Sequence, residues 1–270
     1  MPVSPLSRRS VLAVPLVAAA GAALAGPAVA AGPGRPGSGP DLAVRGQSPV
    51  DIRRTDIRRG RALPPLQVHY SRDALVSLAY VTRDGGDPES CSTRDVEETE
   101  QAGVEPGAGW VVLEGRRYDL LQTHFHTPSE HTVDGRHAPM EQHLVHSDAD
   151  GNLLVLAVLL LQGPAGAVGE ADRLLTALPD ECTDPVPVEH VDLRAMLPAQ
   201  LGAVRYSGSL TTDPYSEGVR WFVLEPQVVS AEGIARFRAV FPDGDSREVQ
   251  ELGPRRLVAD PSATRWLRRL

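Results

Sequence analysis

Apolar and polar positions alternate with a period of two over much of the chain. Leu120-Leu121-Gln122-Thr123-His124-Phe125-His126 reads as a strand closed by a loop signal, Thr127-Pro128-Ser129. Glu141 to His146 alternates, as does Arg220 to Leu224. Leu153 to Leu161 is a continuous apolar run, the pattern of a strand buried on both faces. Helical signals are fewer. Glu170 to Leu178, stopped by Pro179, is the strongest, and Asp192 to Leu197 and Ser230 to Val240 are shorter. Val81 to Gly109 is acidic, contains several glycines and lacks apolar periodicity, which predicts a long exposed loop excursion with one edge strand near Val96. No internal repeat interrupts the pattern. Regular strands, turn punctuation and few helices predict a mostly β (α+β) single domain. It would be built on a large, mainly antiparallel central β-sheet with a few short helices.

Composition narrows the class. Of 270 residues, 41% are hydrophobic and 23% charged, which suits a soluble chain with one large core. Aromatics are only 4%, so that core must rest on Val, Leu and Ala. The formal net charge of -8 argues against a nucleic-acid or anionic-membrane partner. The N-terminus has a twin-arginine pattern, Ser7-Arg8-Arg9-Ser10, an Ala-rich apolar stretch and an Ala28-Val29-Ala30 cleavage motif. A transmembrane anchor is the other reading, but the run is short and is broken by Pro15 and Pro27. Residues 1–30 are therefore expected to be an export signal, 31–43 a flexible linker and 44–270 the folded domain, secreted or periplasmic and without a stable membrane anchor after cleavage. The only two cysteines, Cys91 and Cys182, can pair in an oxidising compartment or remain free thiols.

Three of the eight histidines form a candidate metal site. His124 and His126 are two apart on a predicted strand, so their imidazoles share a face. His143 lies on a second strand-like segment, and pairing of the two segments would bring a third imidazole to the same place. Three imidazoles leave one position of Zn²⁺ open, which is the catalytic pattern. Buried, hydrogen-bonded structural histidines are the alternative.

The surrounding blocks decide between them. Gln122 to Gly135 (QTHFHTPSEHTVDG), Met140 to His146 (MEQHLVH) and Gly208 to Trp221 (GSLTTDPYSEGVRW) closely resemble the α-class carbonic anhydrases. Gln47 to Ile52, Leu66 to Tyr70 and Phe237 to Pro242 with Ser246-Arg247 extend the resemblance from about Gly46 to Arg256. It implies hydration of carbon dioxide to bicarbonate through a zinc-bound hydroxide, with His124, His126 and His143 as ligands. Gln122 and Glu141 would accept the outer N–H groups of His124 and His143, and His131 and Tyr206 would support them. Thr211 would accept from the hydroxide and donate to Glu130. Thr212 would line the bicarbonate site, and Val145, Val155, Leu210, Val219 and Trp221 would form the apolar CO₂-side wall.

The chain departs from the family in four places. The aromatic-rich opening segment and its pocket tyrosine are missing. The expected place of the proton-shuttle histidine reads Leu78 to Gly86 without one, and His69 is not an obvious substitute, so proton export would rely on buffer or on another group. The Thr-Thr-Pro-Pro-Cys stretch reads Thr211-Thr212-Asp213-Pro214-Tyr215, which removes the family's usual disulfide. The tryptophan common after the second ligand is Thr127. The family architecture also implies that the segments holding Cys91 and Cys182 approach at the cleft rim, where a disulfide between them would pin the acidic loop. Two other functions remain open on these residues: a zinc-bearing but weakly active binding protein, and a zinc hydrolase of another substrate.

Overall fold

A computed structural model describes residues 45–60, 63–81, 98–180 and 183–268. The expected signal and linker, Cys91, Cys182 and the strand expected near Val96 lie outside the described residues. So does most of the segment expected to replace the shuttle motif. Among the described residues the chain forms fifteen strands and three short helices. The strands are β1 (Asp51–Ile52), β2 (Ile57–Arg59), β3 (Gln67–Tyr70), β4 (Ala74–Val81), β5 (Thr99–Val104), β6 (Gly109–Leu113), β7 (Arg116–His126) and β8 (Thr132–Val133). They continue with β9 (Arg136–His137), β10 (Met140–Ser147), β11 (Leu153–Gln162), β12 (Val186–Val191), β13 (Val204–Ser209), β14 (Glu217–Val229) and β15 (Leu257–Ala259). The helices are α1 (Ala171–Leu175), α2 (Ala231–Val240) and α3 (Ala263–Trp266). None of them is long and apolar enough to cross a membrane.

Twelve strands form one sheet in the order β12-β4-β5-β7-β10-β11-β14-β13-β15-β2, with β6 also beside β7 and β3 beside β6. Within it only β11–β14 and β15–β2 are parallel. The mostly β architecture expected from the sequence is the one observed. Its centre is β11, which reads as continuously apolar because both faces are covered. Leu154, Leu156, Val158 and Leu160 enter one core with Phe125, Leu144, Phe222 and Phe237. Val155, Ala157 and Leu159 enter a second core with Val145, Tyr206, Trp221 and Trp266.

One irregularity positions the site. Between β7 and β10 the register runs His126 to Glu141, His124 to His143 and Gln122 to Val145, then Leu120 to His146. Leu121 is the extra residue of a β-bulge and is 48% exposed. Strand side chains alternate, so without this bulge Gln122, His124 and His126 would face the same core as Leu120. With it, Leu120, Thr123 and Phe125 share the first core's side and the two histidines turn to the other.

The helices differ from expectation. α2 starts as predicted, with Ser230 capping it by accepting from the Gly233 N–H at 2.8 Å. α1 spans only Ala171–Leu175, shorter than the expected Glu170 to Leu178. Residues Asp192 to Leu197 form turns instead of a helix. Their N–H groups bond three residues back (Ala195 to Asp192, Leu197 to Arg194), and the Asp192 carboxylate also accepts from the Ala195 N–H. The expected Val81 to Gly109 loop also needs correction, because Thr99–Val104 is an interior strand paired with both β4 and β7. Its polar sequence hides it, since its backbone partners are distant in the chain.

β5 carries an ionisable group into the interior. Glu100 is fully buried, pairs with Tyr80 across β4, and neither carboxyl oxygen has a hydrogen-bond partner. Burial, reinforced by Asp180, pushes it from the ordinary 4.5 up to about 8. The folded state therefore holds a proton that the unfolded chain releases. Stability should fall as pH rises from the ordinary carboxyl value to about 8 and then level off. Glu100→Gln should flatten that part of the curve, which thermal unfolding across the pH range will check. An unchanged slope would place the titration elsewhere.

Candidate metal centre

β7 and β10 deliver three imidazoles to one point. The ring centroids of His124, His126 and His143 lie 4.8 to 5.0 Å apart. His126 and His143 are almost fully buried. The outer nitrogen of each ring meets a fixed acceptor. His124 Nδ1–H donates to Gln122 Oε1 at 2.8 Å, His126 Nδ1–H to the Asp245 carbonyl at 3.2 Å, and His143 Nε2–H to Glu141 Oε1 at 2.9 Å. A neutral imidazole has one N–H, so these contacts leave lone pairs on His124 Nε2, His126 Nε2 and His143 Nδ1. Two of those lone pairs, on His124 and His143, are 3.2 Å apart. The third, on His126, is buried without a hydrogen-bond partner. Such a cluster is satisfied by a cation, and the donor set can hold a metal ion.

Behind the rings is a buried polar network. Glu141 also accepts from His131 Nδ1 at 2.6 Å and from the His131 backbone N–H at 2.8 Å. Burial opposes its charge, but contacts with His131 and His143 prevail and hold Glu141 well below the usual carboxylate range. His131 Nε2 lies 2.7 Å from the Tyr206 hydroxyl, which is 2.9 Å from Ser48 Oγ. Burial lowers His143, which keeps it a neutral ligand, and the like charge of His126 adds to this. His126 is raised, because the carboxylates of Glu130, Asp245 and Glu141 outweigh its own desolvation.

A cleft of ≈ 70 Å³ opens on the triad. A water needs ~10–15 Å³ on this measure, so a very small molecule fits and a bulky one does not. Val145, Val155, Leu210 and Trp221 line it as expected from the sequence, and so do Gln122, Thr211 and Thr212. Val219 does not. It shares the second core with Trp221 but lies farther along β14, outside the cleft. The Thr211–Glu130 bond expected from the resemblance is not formed. Glu130 Oε1 accepts instead from the Arg247 backbone N–H at 3.0 Å, while Oε2 is buried and unpaired, 3.7 Å from His126 Nε2 and 3.8 Å from His143 Nε2. His69 stacks on Trp110 and takes no part in the cleft.

Four contributors escaped the sequence reading. Thr99 and Gln101 line the cleft from β5. Asp245 supplies the carbonyl for His126, and Arg247 the N–H for Glu130. The alternation of Thr99 and Gln101 was a usable signal once β5 is recognised as a strand. A backbone carbonyl or N–H carries no residue-type signal at all.

The chain matches the family model of the eukaryotic-type carbonic anhydrases over residues 38–260. A carbonic anhydrase of Pectobacterium carotovorum is 39% identical over 165 residues, 59% of this chain and 65% of that protein. The chain thus spans just under two thirds of that relative's length. One from Nostoc sp. is 34% identical over 227 residues, 81% of this chain and 79% of that protein. Among solved structures, the α-carbonic anhydrase of Thermovibrio ammonificans in complex with the inhibitor sulfanilamide superposes with a TM-score of 0.65 at 37% identity. The match covers 79% of this chain and 86% of that one.

The triad has a direct test. Metal analysis of the purified protein should find one divalent ion per chain, and none in His126→Ala or His143→Ala. Affinity should fall as pH drops, because protons compete for the same lone pairs. Full occupancy in either variant would show that the ion sits elsewhere.

Proposed function

The chain belongs to the α-class, eukaryotic-type carbonic anhydrase family, and on that premise we propose that it hydrates carbon dioxide reversibly to bicarbonate and a proton at a Zn²⁺ held by His124, His126 and His143. The observation that carries this reading is the triad itself: three inward lone pairs whose outer N–H groups are all engaged, at the floor of a small, half-apolar cleft. Three neutral imidazoles form the donor set of a catalytic zinc site. When bound, zinc supplies the Lewis acidity that makes water a nucleophile at neutral pH, an effect for which carbonic anhydrase is the standard case.

The chain's own residues do the rest. Gln122, Glu141 and the Asp245 carbonyl fix ring orientation and tautomer, so no reorganisation is needed during the reaction. Val145, Val155, Leu210 and Trp221 hold a small apolar substrate by dispersion alone and keep competing water off it. Thr211 and Thr212 bring hydroxyl-bearing side chains to the cleft, where the product's oxygens need polar partners. Glu130 Oε2, buried and unpaired between His126 and His143, is the acceptor we assign to the Thr211 hydroxyl; the bond needs a shift of side chains from the described positions. Among the described residues that line the cleft, none besides the ligand histidines titrates near neutrality, and we assign removal of the proton to external buffer.

Stopped-flow CO₂ hydration tests the reading, and rates should rise steeply with imidazole buffer. Thr211→Ala should keep its metal and lose about 10²–10³ in rate, the usual cost of one positioned polar contact in a dry site. An inactive parent with full zinc would favour the weakly active binding protein instead. A parental rate in Thr211→Ala would remove the orienting role.

The processing of the chain is a separate proposal. The twin-arginine pattern and the Ala28-Val29-Ala30 motif support export, and the oxidising destination supports a disulfide between Cys91 and Cys182. A loop of that length can add ~4–5 kcal/mol at most. Mass spectrometry of the unreduced exported protein should show a start near Ala31 and no alkylatable thiol. Two reactive thiols would rule out the bridge.

A further inference from the structure

The segment from Leu210 to Ser216 carries Thr211 and Thr212 over the triad, and its own sequence gives it little support. It holds no cysteine; its backbone is closed by the Leu210 N–H to the Ser216 carbonyl at 2.9 Å and, within it, by the Tyr215 N–H to the Thr212 carbonyl at 2.8 Å. Tyr215 lies in the left-handed region at φ 56°. A non-glycine residue stays there only when its surroundings over-determine it. Prominent among those surroundings are the Arg247 side chain and the polar groups it gathers.

The Arg247 guanidinium carbon is 3.9 Å from the centre of the Tyr215 ring. Its Nη1 donates to the Ser48 carbonyl at 2.7 Å and to Gln47 Oε1 at 3.0 Å. Gln47 in turn donates from Nε2 to the Tyr215 carbonyl at 3.3 Å and to Glu217 Oε1 at 3.1 Å. The Arg247 backbone N–H holds Glu130 Oε1. Arg247 therefore touches both halves of the proposed Thr211–Glu130 pair: Glu130 through its backbone, and the Thr211 loop through the Tyr215 ring. Planarity matters for this. A guanidinium can stack on an aromatic face and still fork two hydrogen bonds in its plane, which an ammonium cannot.

We propose that Arg247, Tyr215 and Gln47 form a noncovalent latch that clamps the Thr211 loop onto the turn between β7 and β8 that carries Glu130, and that Arg247 and Tyr215 are positioning residues for Thr211. The latch takes the place of a covalent tie in a loop where Tyr215 stands at the last position of Thr211-Thr212-Asp213-Pro214-Tyr215. Neither side chain lines the cleft, so both act through the loop.

The positioning claim rests on the proposed hydration activity; the latch itself does not. The test compares Tyr215→Leu, Arg247→Lys and the conservative Tyr215→Phe with the parent, all as zinc-loaded full chains. Two readouts are taken: hydrogen–deuterium exchange of residues 210–217, and CO₂ hydration with zinc content measured alongside. Tyr215→Leu and Arg247→Lys should exchange faster in that segment. They should keep zinc and lose roughly 10-fold in kcat/KM, as expected for loosened orientation. Tyr215→Phe should restore both. Unchanged exchange in Tyr215→Leu and Arg247→Lys overturns the latch whatever the rates do. Faster exchange with parental rates overturns the positioning role. If the parent hydrates no CO₂, the functional reading falls and exchange alone judges the latch.

Discussion

The site depends on one residue that does not fit its sheet. Leu121 is looped out between β7 and β10, and the two-residue period of the strand restarts after it. Before the bulge, Tyr118 and Leu120 pack into the core on one side; after it, Thr123 and Phe125 take over that side. Gln122, His124 and His126 are thereby turned to the opposite side, facing Val145, His143 and Glu141 across the ladder. A slip of one residue would bury three polar side chains in hydrocarbon and carry the apolar ones into the cleft. The hydrophobic burial of both flanking segments therefore enforces the geometry of the polar residues between them.

A cluster of imidazoles this deeply buried also needs a particular second layer. Each ring has one outer N–H and one acceptor for it: an amide, a carboxylate and a backbone carbonyl. Leaving any of these N–H groups unpaired would cost about 1–3 kcal/mol. Glu141 shows how far the layer extends. It is buried, accepts from both His143 and His131, and stays charged because of them. His131 continues through Tyr206 to Ser48, which Gly208 allows to lie against β13 because a side chain there would collide with it. Orientation at the triad is thus set by residues from β1's approach, β10 and β13, far apart in the chain.

The two faces of the cleft have different sources of rigidity. Apart from Leu210, which the loop after β13 supplies, the apolar wall comes from β10, β11 and β14, three strands near the middle of the sheet, where Val145, Val155 and Trp221 are held by packing. The polar wall comes from a loop after β13, where packing is thin and hydrogen bonds with one cation–π contact substitute for it. Substrate side and hydroxyl side can therefore respond differently to perturbation: the first through core volume, the second through Arg247 and its partners.

Much of this was legible in the chain. The period-two runs located β7, β10 and β14, because alternation along a strand leaves a local signature, and the continuous apolar run of Leu153 to Leu161 located β11, buried on both faces. The i, i+2 histidines and the acceptors Gln122 and Glu141 could be assigned to one face for the same reason, and the family resemblance supplied the roles of His131, Tyr206, Thr211 and Glu130. What remained hidden was decided by contacts between distant residues. The strand character of Thr99–Val104 comes from two neighbouring backbones and not from its own polar side chains. The bulge at Leu121 is visible only against β10. Asp245 meets His126, and Arg247 meets Glu130, through backbone groups, which every residue type possesses. Val219 falls outside the cleft because of its position along β14, and the contact of the Thr211 hydroxyl with Glu130 depends on how the loop after β13 sits over that carboxylate, whose Oε2 stays open while Oε1 accepts from the Arg247 N–H. Local sequence determined which faces are apolar and which side chains carry the chemistry; only the tertiary structure decided their register, which is set by the pairing of β7 with β10, and their backbone partners, which come from segments more than a hundred residues away.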